Sequence, residues 1–184
     1  MADAKIIQSA GRKRYVTYRQ FSGENICWAL AAKSVLYNTR NKKISVCEIV
    51  SKTKKLNNCC SVQQNVTDHC NKGDYIENAL AQFGVKTIRQ AVNFKQVYSD
   101  LQNNKVVAMV TDMSNSTFGS RQGHVAIIHY ANLHSDGSYT FYVADSANEY
   151  YSFDTDDLRL RKNGKYEYLS REISFDWEYI VRIF

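Results

Sequence analysis

The hydrophobic period of this sequence changes near residue 105, and that change constrains the fold more than any other feature. Before it, apolar residues recur at helical spacing; after it, they come in short β-rich runs separated by turn residues. Residues 24–38 carry Ile26, Trp28, Ala29, Leu30, Ala31, Ala32, Val35 and Leu36. A helix apolar on nearly every side belongs in the interior. "SVCE" at Ser45–Glu48 is a capping box that opens a second helix, to about Lys55. In "DYIENALAQFG" the expected N-cap is Asp74, with Glu77 in the first turn. Ile76, Ala79, Leu80 and Phe83 form its apolar stripe, and Gly84 ends it. "NFKQVYSDLQNN" repeats the pattern, with Asn93 as cap and Phe94, Val97 and Leu101 inward.

Beyond that point "KVVAMVTDM", "GHVAIIHYA", "SYTFYVADS", "EYYSF" and "EYIVRIF" read as strands with turn signals between them. Helices first and strands afterwards predict an α+β fold, with N-terminal helices and a buried central helix packed on a largely antiparallel sheet. The 184 residues are enough for one domain with a real core. No linker, repeat or low-complexity tract divides them, and residues 1–17 are expected to form an extended N-terminal arm.

Composition excludes several classes. Apolar residues make up 44% of the chain and aromatics 12%, too much for a disordered protein. No apolar run approaches about 18 residues, so no stable membrane insertion is expected. The net charge is +6, but the basic residues are scattered, densest at Arg12–Arg14, Lys52–Lys55 and Arg159–Lys162. A nucleic-acid surface needs clustering with interleaved aromatics, so nucleic acid is not an expected partner. The charge reads as a solvated surface with a mild preference for acidic partners or anionic cell surfaces.

The five cysteines are Cys27, Cys47, Cys59, Cys60 and Cys70. Two disulfides among the last four, with Cys27 free, is the expected arrangement for a secreted chain. Cys59 and Cys60 are adjacent, so they would bond to different partners. A zinc site from Cys59, Cys60, His69 and Cys70 is the rival, though it lacks the usual C-x-x-C spacing. Four reduced core thiols are the third possibility. "MADAKIIQSAGRKRY" contains no apolar signal segment. A secreted or delivered protein is therefore expected to have lost its signal peptide, with a cytoplasmic location as the alternative.

Cys27 falls in the first turn of the central helix. Backbone N–H groups point outward there, and the dipole favours thiolate over thiol. A nucleophilic cysteine needs a base, and the candidates are His69, His124, His129 and His134. His69 and His134 lie in polar loops. His124 opens a strand directly after Gly123, at what would be a site rim, with His129 on the other face of that strand. Asp145 ends the next strand. A hairpin turning at Ser135–Ser138 brings His124 and Asp145 to the same end of the sheet.

These residues resemble the papain-like cysteine peptidases, and most of all a bacterial branch of secreted effector proteases and bacteriocin-leader peptidase domains. The resemblance rests on Gln20, the Cys27-Trp28 pair opening the central helix, the strand start Gly123-His124-Val125-Ala126-Ile127-Ile128, and Ala144-Asp145, across roughly residues 18–155. Cys59-Cys60 and Cys70-Asn71 also resemble secreted bacterial members. The chain departs from that branch in having Ser146 where a proline usually follows the acid, and Lys105-Val106 where a proline is common.

The resemblance implies Cys27 as nucleophile, His124 as its base, Asp145 as the group that orients the imidazole, and Gln20 as a donor to the oxyanion. It implies no metal and no cofactor, a protein or peptide substrate, and a monomer. Trp28 reads as helix-start packing. The same thioester chemistry serves a second class, namely an amidase, deamidase or transamidase acting on glutamine side chains or peptidoglycan. A third reading is a binding module with a vestigial site, against which the complete residue set argues. The polar stretch "SNSTFGSRQ", Ser114–Gln122, is expected to be a mobile flap over the site.

Overall fold

The computed structural model describes residues 4–20, 24–61, 65–112, 123–147, 149–162, 164–170 and 173–184. The order of elements is β1 (Ile6–Gly11), α1 (Cys27–Arg40), α2 (Val46–Lys54), α3 (Ile76–Ala81), β2 (Thr87–Gln90), α4 (Phe94–Gln102), β3 (Val107–Asp112), β4 (His124–His134), β5 (Tyr139–Asp145), β6 (Glu149–Asp154), β7 (Arg159–Leu160), β8 (Tyr166–Leu169) and β9 (Ser174–Ile183). The described pairings are antiparallel, along the order β6-β5-β4-β3-β9-β8-β7.

Two long strands organise this curled sheet. On one edge β4 pairs with β5. On the other it pairs with β3 over its first half and with β1 over its second. Likewise β9 runs along β3 on one edge and meets β8 and then β2 on the other. The N-terminal stretch expected as an extended arm therefore supplies a sheet strand, β1.

The central strands are buried on both faces, which is why they read as continuous apolar runs rather than as clean alternation. Ala108, Val110, Val125, Ile127 and Val181 face the helical layer and pack with Ile26, Ala29, Val35 and Leu80. Their neighbours Val107, Met109, Ala126, Ile128 and Ile180 face the other way, towards α4 and an aromatic cluster that includes Phe141, Phe153 and Trp177. A fully buried aliphatic or aromatic side chain is worth about 1.5–3 kcal/mol. An exposed ion pair such as Lys52–Glu48 on α2 contributes at most about 1 kcal/mol, so packing holds the layers together. Among the described residues, no helix is long and apolar enough to cross a membrane.

Local signals account for two of the four described helix starts. Ser45 Oγ accepts from Glu48 N at 3.1 Å, and Asn93 Oδ1 accepts from Gln96 N at 3.0 Å, both as the sequence predicts. Asp74 does not cap α3. The N-cap position is Tyr75, with no side-chain cap bond. Asp74 instead accepts from Tyr75 N and Asn78 Nδ2 and pairs with Lys54 at 2.8 Å. A lysine arriving from α2 competes successfully for that carboxylate.

Candidate active site

The cysteine-rich segment contains two disulfides, Cys47–Cys60 and Cys59–Cys70, so the adjacent cysteines do bond to different partners. His69 lies beside the second pair, close enough for a Cys59, His69 and Cys70 cluster, but the sulfurs a metal would use are joined to each other. His69 itself is exposed and meets Thr67 Oγ1 at 3.1 Å. Cys27 is the free cysteine.

Cys27 is the first residue of α1 and is half-buried. The N-cap position is Ile26, which offers no side-chain acceptor, so no cap side chain competes for the first amides of the helix. Burial alone would push the thiol pKa up. The hydrogen bond and charge of His124, together with the backbone N–H groups of Val125 and Trp28, outweigh it and hold the thiol below its ordinary value. Trp28 is buried behind this point and donates its ring N–H to Asn25 O and Lys72 O, both at 3.1 Å. That is the structural role expected of it.

His124 opens β4 and is 1% exposed, and Asp145 ends β5 and is fully buried. The register sets Asp145 opposite Ala126, two residues from His124. His124 Nε2 lies 2.7 Å from Asp145 Oδ1, which also accepts from Ala147 N at 2.7 Å. His124 Nδ1 has no conventional hydrogen-bond partner, so Asp145 leaves this nitrogen uncommitted. Burial alone would lower the imidazole pKa. The Asp145 carboxylate first, and then Cys27, reverse this and push it up to about 10. Both shifts favour the thiolate and imidazolium form of the pair over the neutral one. The other histidines lie elsewhere. His129 is buried with Nδ1 at 2.7 Å from Arg12 O, and His134 bonds Thr140.

Gln20 is buried and tied to the strand end after Asp145. Its N–H donates to Ser146 O at 2.7 Å, and its Oε1 accepts from Ser146 Oγ at 3.2 Å. Its Nε2 donates to Glu24 O; an amide nitrogen carries two hydrogens, so this bond does not exhaust it. Ser146 went unnoticed as a site residue in the sequence. Its position next to Asp145 was the available signal.

A cavity of about 440 Å³ adjoins the site, lined by Gly123 and Val125 on either side of His124, and by Tyr75, Ile76, Arg89 and Tyr179 among others. Arg89 lies between the rings of Tyr75 and Tyr179, 4.6 and 4.4 Å from their centres, and pairs with Glu77 at 2.6 Å. The expected flap, Ser114–Gln122, lies outside the described residues.

No family model matches this chain, and no curated protein matches it. Among solved structures it is similar to recombinant stem bromelain precursor, with a TM-score of 0.55 and 13% identity over 97% of this chain and 70% of that one. The fold is papain-like. In this chain α1 begins at Cys27 and packs against β4. The neighbour, a cysteine protease of the papain family, establishes the fold and nothing finer, so the roles of Cys27, His124, Asp145 and Gln20 are argued from their chemistry.

Proposed function

We propose that this protein is a cysteine peptidase in which Cys27, His124 and Asp145 act as one unit. The observation that carries the reading is the buried 2.7 Å contact between His124 Nε2 and Asp145 Oδ1, which leaves the opposite ring nitrogen for the thiol. The Cys27 thiolate attacks the carbonyl carbon of the scissile amide. The developing oxyanion is met by the backbone N–H of Cys27 and the side-chain amide of Gln20. The His124 imidazolium gives its proton to the leaving amine, and a thioester remains. His124, now neutral, takes a proton from water, which attacks the thioester and releases the acid and the thiolate. Asp145 keeps the ring in register and stabilises its charged form. The cavity beside His124 suits a substrate side chain, since apolar Ile76, Val110 and Val125 line it together with charged Asp74, Glu77, Arg89 and Glu178.

A secreted role, of the bacterial effector or toxin type suggested by the sequence, is supported by the two disulfides, which belong to an oxidising compartment. Incubation with an unbiased peptide library, followed by mass spectrometry, tests the reaction. New peptide termini are expected, and Cys27→Ala should abolish them. A one-dalton gain on glutamine without new termini would instead assign the deamidase alternative. Because the two residues form one catalytic unit, Cys27→Ala and His124→Ala should lose activity equally, and the double variant should be no worse than either.

A further inference from the structure

The loop that follows Cys70 reaches the start of α1 at two points. Asn71 Oδ1 accepts the backbone N–H of Asn25, two residues before the thiol, at 2.6 Å. Lys72 O accepts the ring N–H of Trp28 at 3.1 Å, a donor it shares with Asn25 O at the same distance. The turn that carries Cys27 is thus gripped on either side of the thiol by residues 46 and 44 positions further along the chain. Its N-cap, Ile26, offers no side-chain acceptor. Ala29 N and Leu30 N close onto Ile26 O, while the N–H of Asn25, ahead of the helix, goes to Asn71.

The gripping loop is itself fastened. Residues 71–75 form neither helix nor strand, so their position depends on side-chain and backbone ties. Cys70 is fully buried, bonded to Cys59, and packed in the same core cluster as Ile26 and Trp28. Cys70 N and Asn71 N donate to Thr67 O at 2.9 and 3.0 Å, and Lys72 N donates to Cys70 O at 2.8 Å. Lys54, at the end of α2, donates to Gly73 O at 2.6 Å and pairs with Asp74 at 2.8 Å. The other bridge joins Cys47 of α2 to Cys60 in the segment after that helix.

We propose that Asn71 is a positioning residue for the nucleophile, and that the Cys59–Cys70 bridge serves catalysis through it. The inference rests on the reading of Cys27 as the attacking group. The gripped turn presents three groups to the reaction. They are the Cys27 sulfur, the Cys27 N–H assigned to the oxyanion, and the Trp28 N–H that helps to hold the thiol below its ordinary value. Such donors act most strongly when their direction is fixed before the charge develops. A misplacement of about 1 Å costs up to about 10²-fold in rate.

Asn71→Ala removes the acceptor and leaves the bridge. The rate of Cys27 alkylation by iodoacetamide against pH reads the thiolate and needs no turnover. In Asn71→Ala its midpoint should move to higher pH. On a peptide that the native chain cleaves, kcat should fall about tenfold with KM near its native value, the loss of one hydrogen bond. Replacing Cys59 and Cys70 together by alanine should reproduce both changes, and adding Asn71→Ala to that variant should cost nothing more. Replacing Cys47 and Cys60 together should lower the melting temperature and leave the alkylation profile and kcat at native values. If the chain without Cys59–Cys70 fails to fold, Asn71→Ala carries the test. A native alkylation profile in Asn71→Ala, or an equal displacement on loss of Cys47–Cys60, overturns the proposal. If the native chain cleaves no peptide but the profile still shifts with Asn71→Ala, the peptidase reading fails and the positioning role stands.

Discussion

Ser146 holds Gln20 at two points, accepting its backbone N–H at 2.7 Å and donating its hydroxyl to the side-chain oxygen at 3.2 Å. The residue that follows Asp145 thereby decides which way the Gln20 amide faces, because an oxygen bound to a hydroxyl leaves the NH₂ group on the other side. The strand that ends in the acid also orients the proposed oxyanion donor.

Gln20→Ala should lower kcat by about 10²–10³, the usual loss for one oxyanion donor. Ser146→Ala should cost about tenfold, because the amide is present but no longer oriented. Steady-state kinetics on the double variant decide the matter. If Ser146 acts through Gln20, the serine change adds nothing once the glutamine is gone.

The charge state of the pair sets the pH dependence. With its thiol below the ordinary value, Cys27 should keep its reactivity with iodoacetamide to a lower pH than an ordinary thiol does. The His124 pKa is raised from 6.5 to about 10. Its stabilising contribution is therefore complete below pH 6.5 and is lost as pH rises through about 10. Melting temperature measured across that window should fall more steeply for the native chain than for His124→Gln.

Arg89 ties the start of α3 to β9 through the rings of Tyr75 and Tyr179 at the edge of the cavity beside His124. Stacks of this kind are worth about 0.5–1 kcal/mol each. Arg89→Ala should therefore raise KM about tenfold while leaving kcat near its native value. A fall in kcat with KM unchanged would mean that Arg89 does not shape the substrate cavity.

The disulfides bear on stability and compartment together. The oxidised chain should be lighter than the reduced one by the four hydrogens of Cys47–Cys60 and Cys59–Cys70. Under native conditions only Cys27 should then take up an alkylating reagent. Reduction should destabilise the fold by about 2–5 kcal/mol per bridge, measurable in denaturant titrations with and without reductant. An unchanged midpoint would show that the segment is held by other contacts.

Local chemistry was legible in the sequence wherever it needed no distant partner. Ser45 and Asn93 cap their helices because a short polar side chain reaches a backbone N–H within its own turn. The apolar run of residues 24–38 is a largely buried helix because it is apolar on nearly every side, although it begins at Cys27 and extends to Arg40. The hairpin from His124 to Asp145 follows from two adjacent runs and one turn. By contrast, β2 is four residues with one aliphatic, Ile88, and β1 leaves Ile6 and Ile7 exposed, so neither has an alternation to read. The alternate tyrosines of β8, Tyr166 and Tyr168, were a signal that went unread.

The sequence by itself determined the helix-then-strand order, the residue types of the site and the thiol at a helix start. Each depends on periodicity or on groups a few residues apart. Tertiary structure alone decided that Asp74 pairs with Lys54 instead of capping α3, that Cys47 joins Cys60 and Cys59 joins Cys70, and that Ser146 grips Gln20 across 126 positions of chain. It also decided that Asn71 grips the turn ahead of Cys27. In each case several partners of suitable chemistry exist along the chain. Which of them meet is set by how helices and sheet pack, a constraint that no local pattern of residues contains.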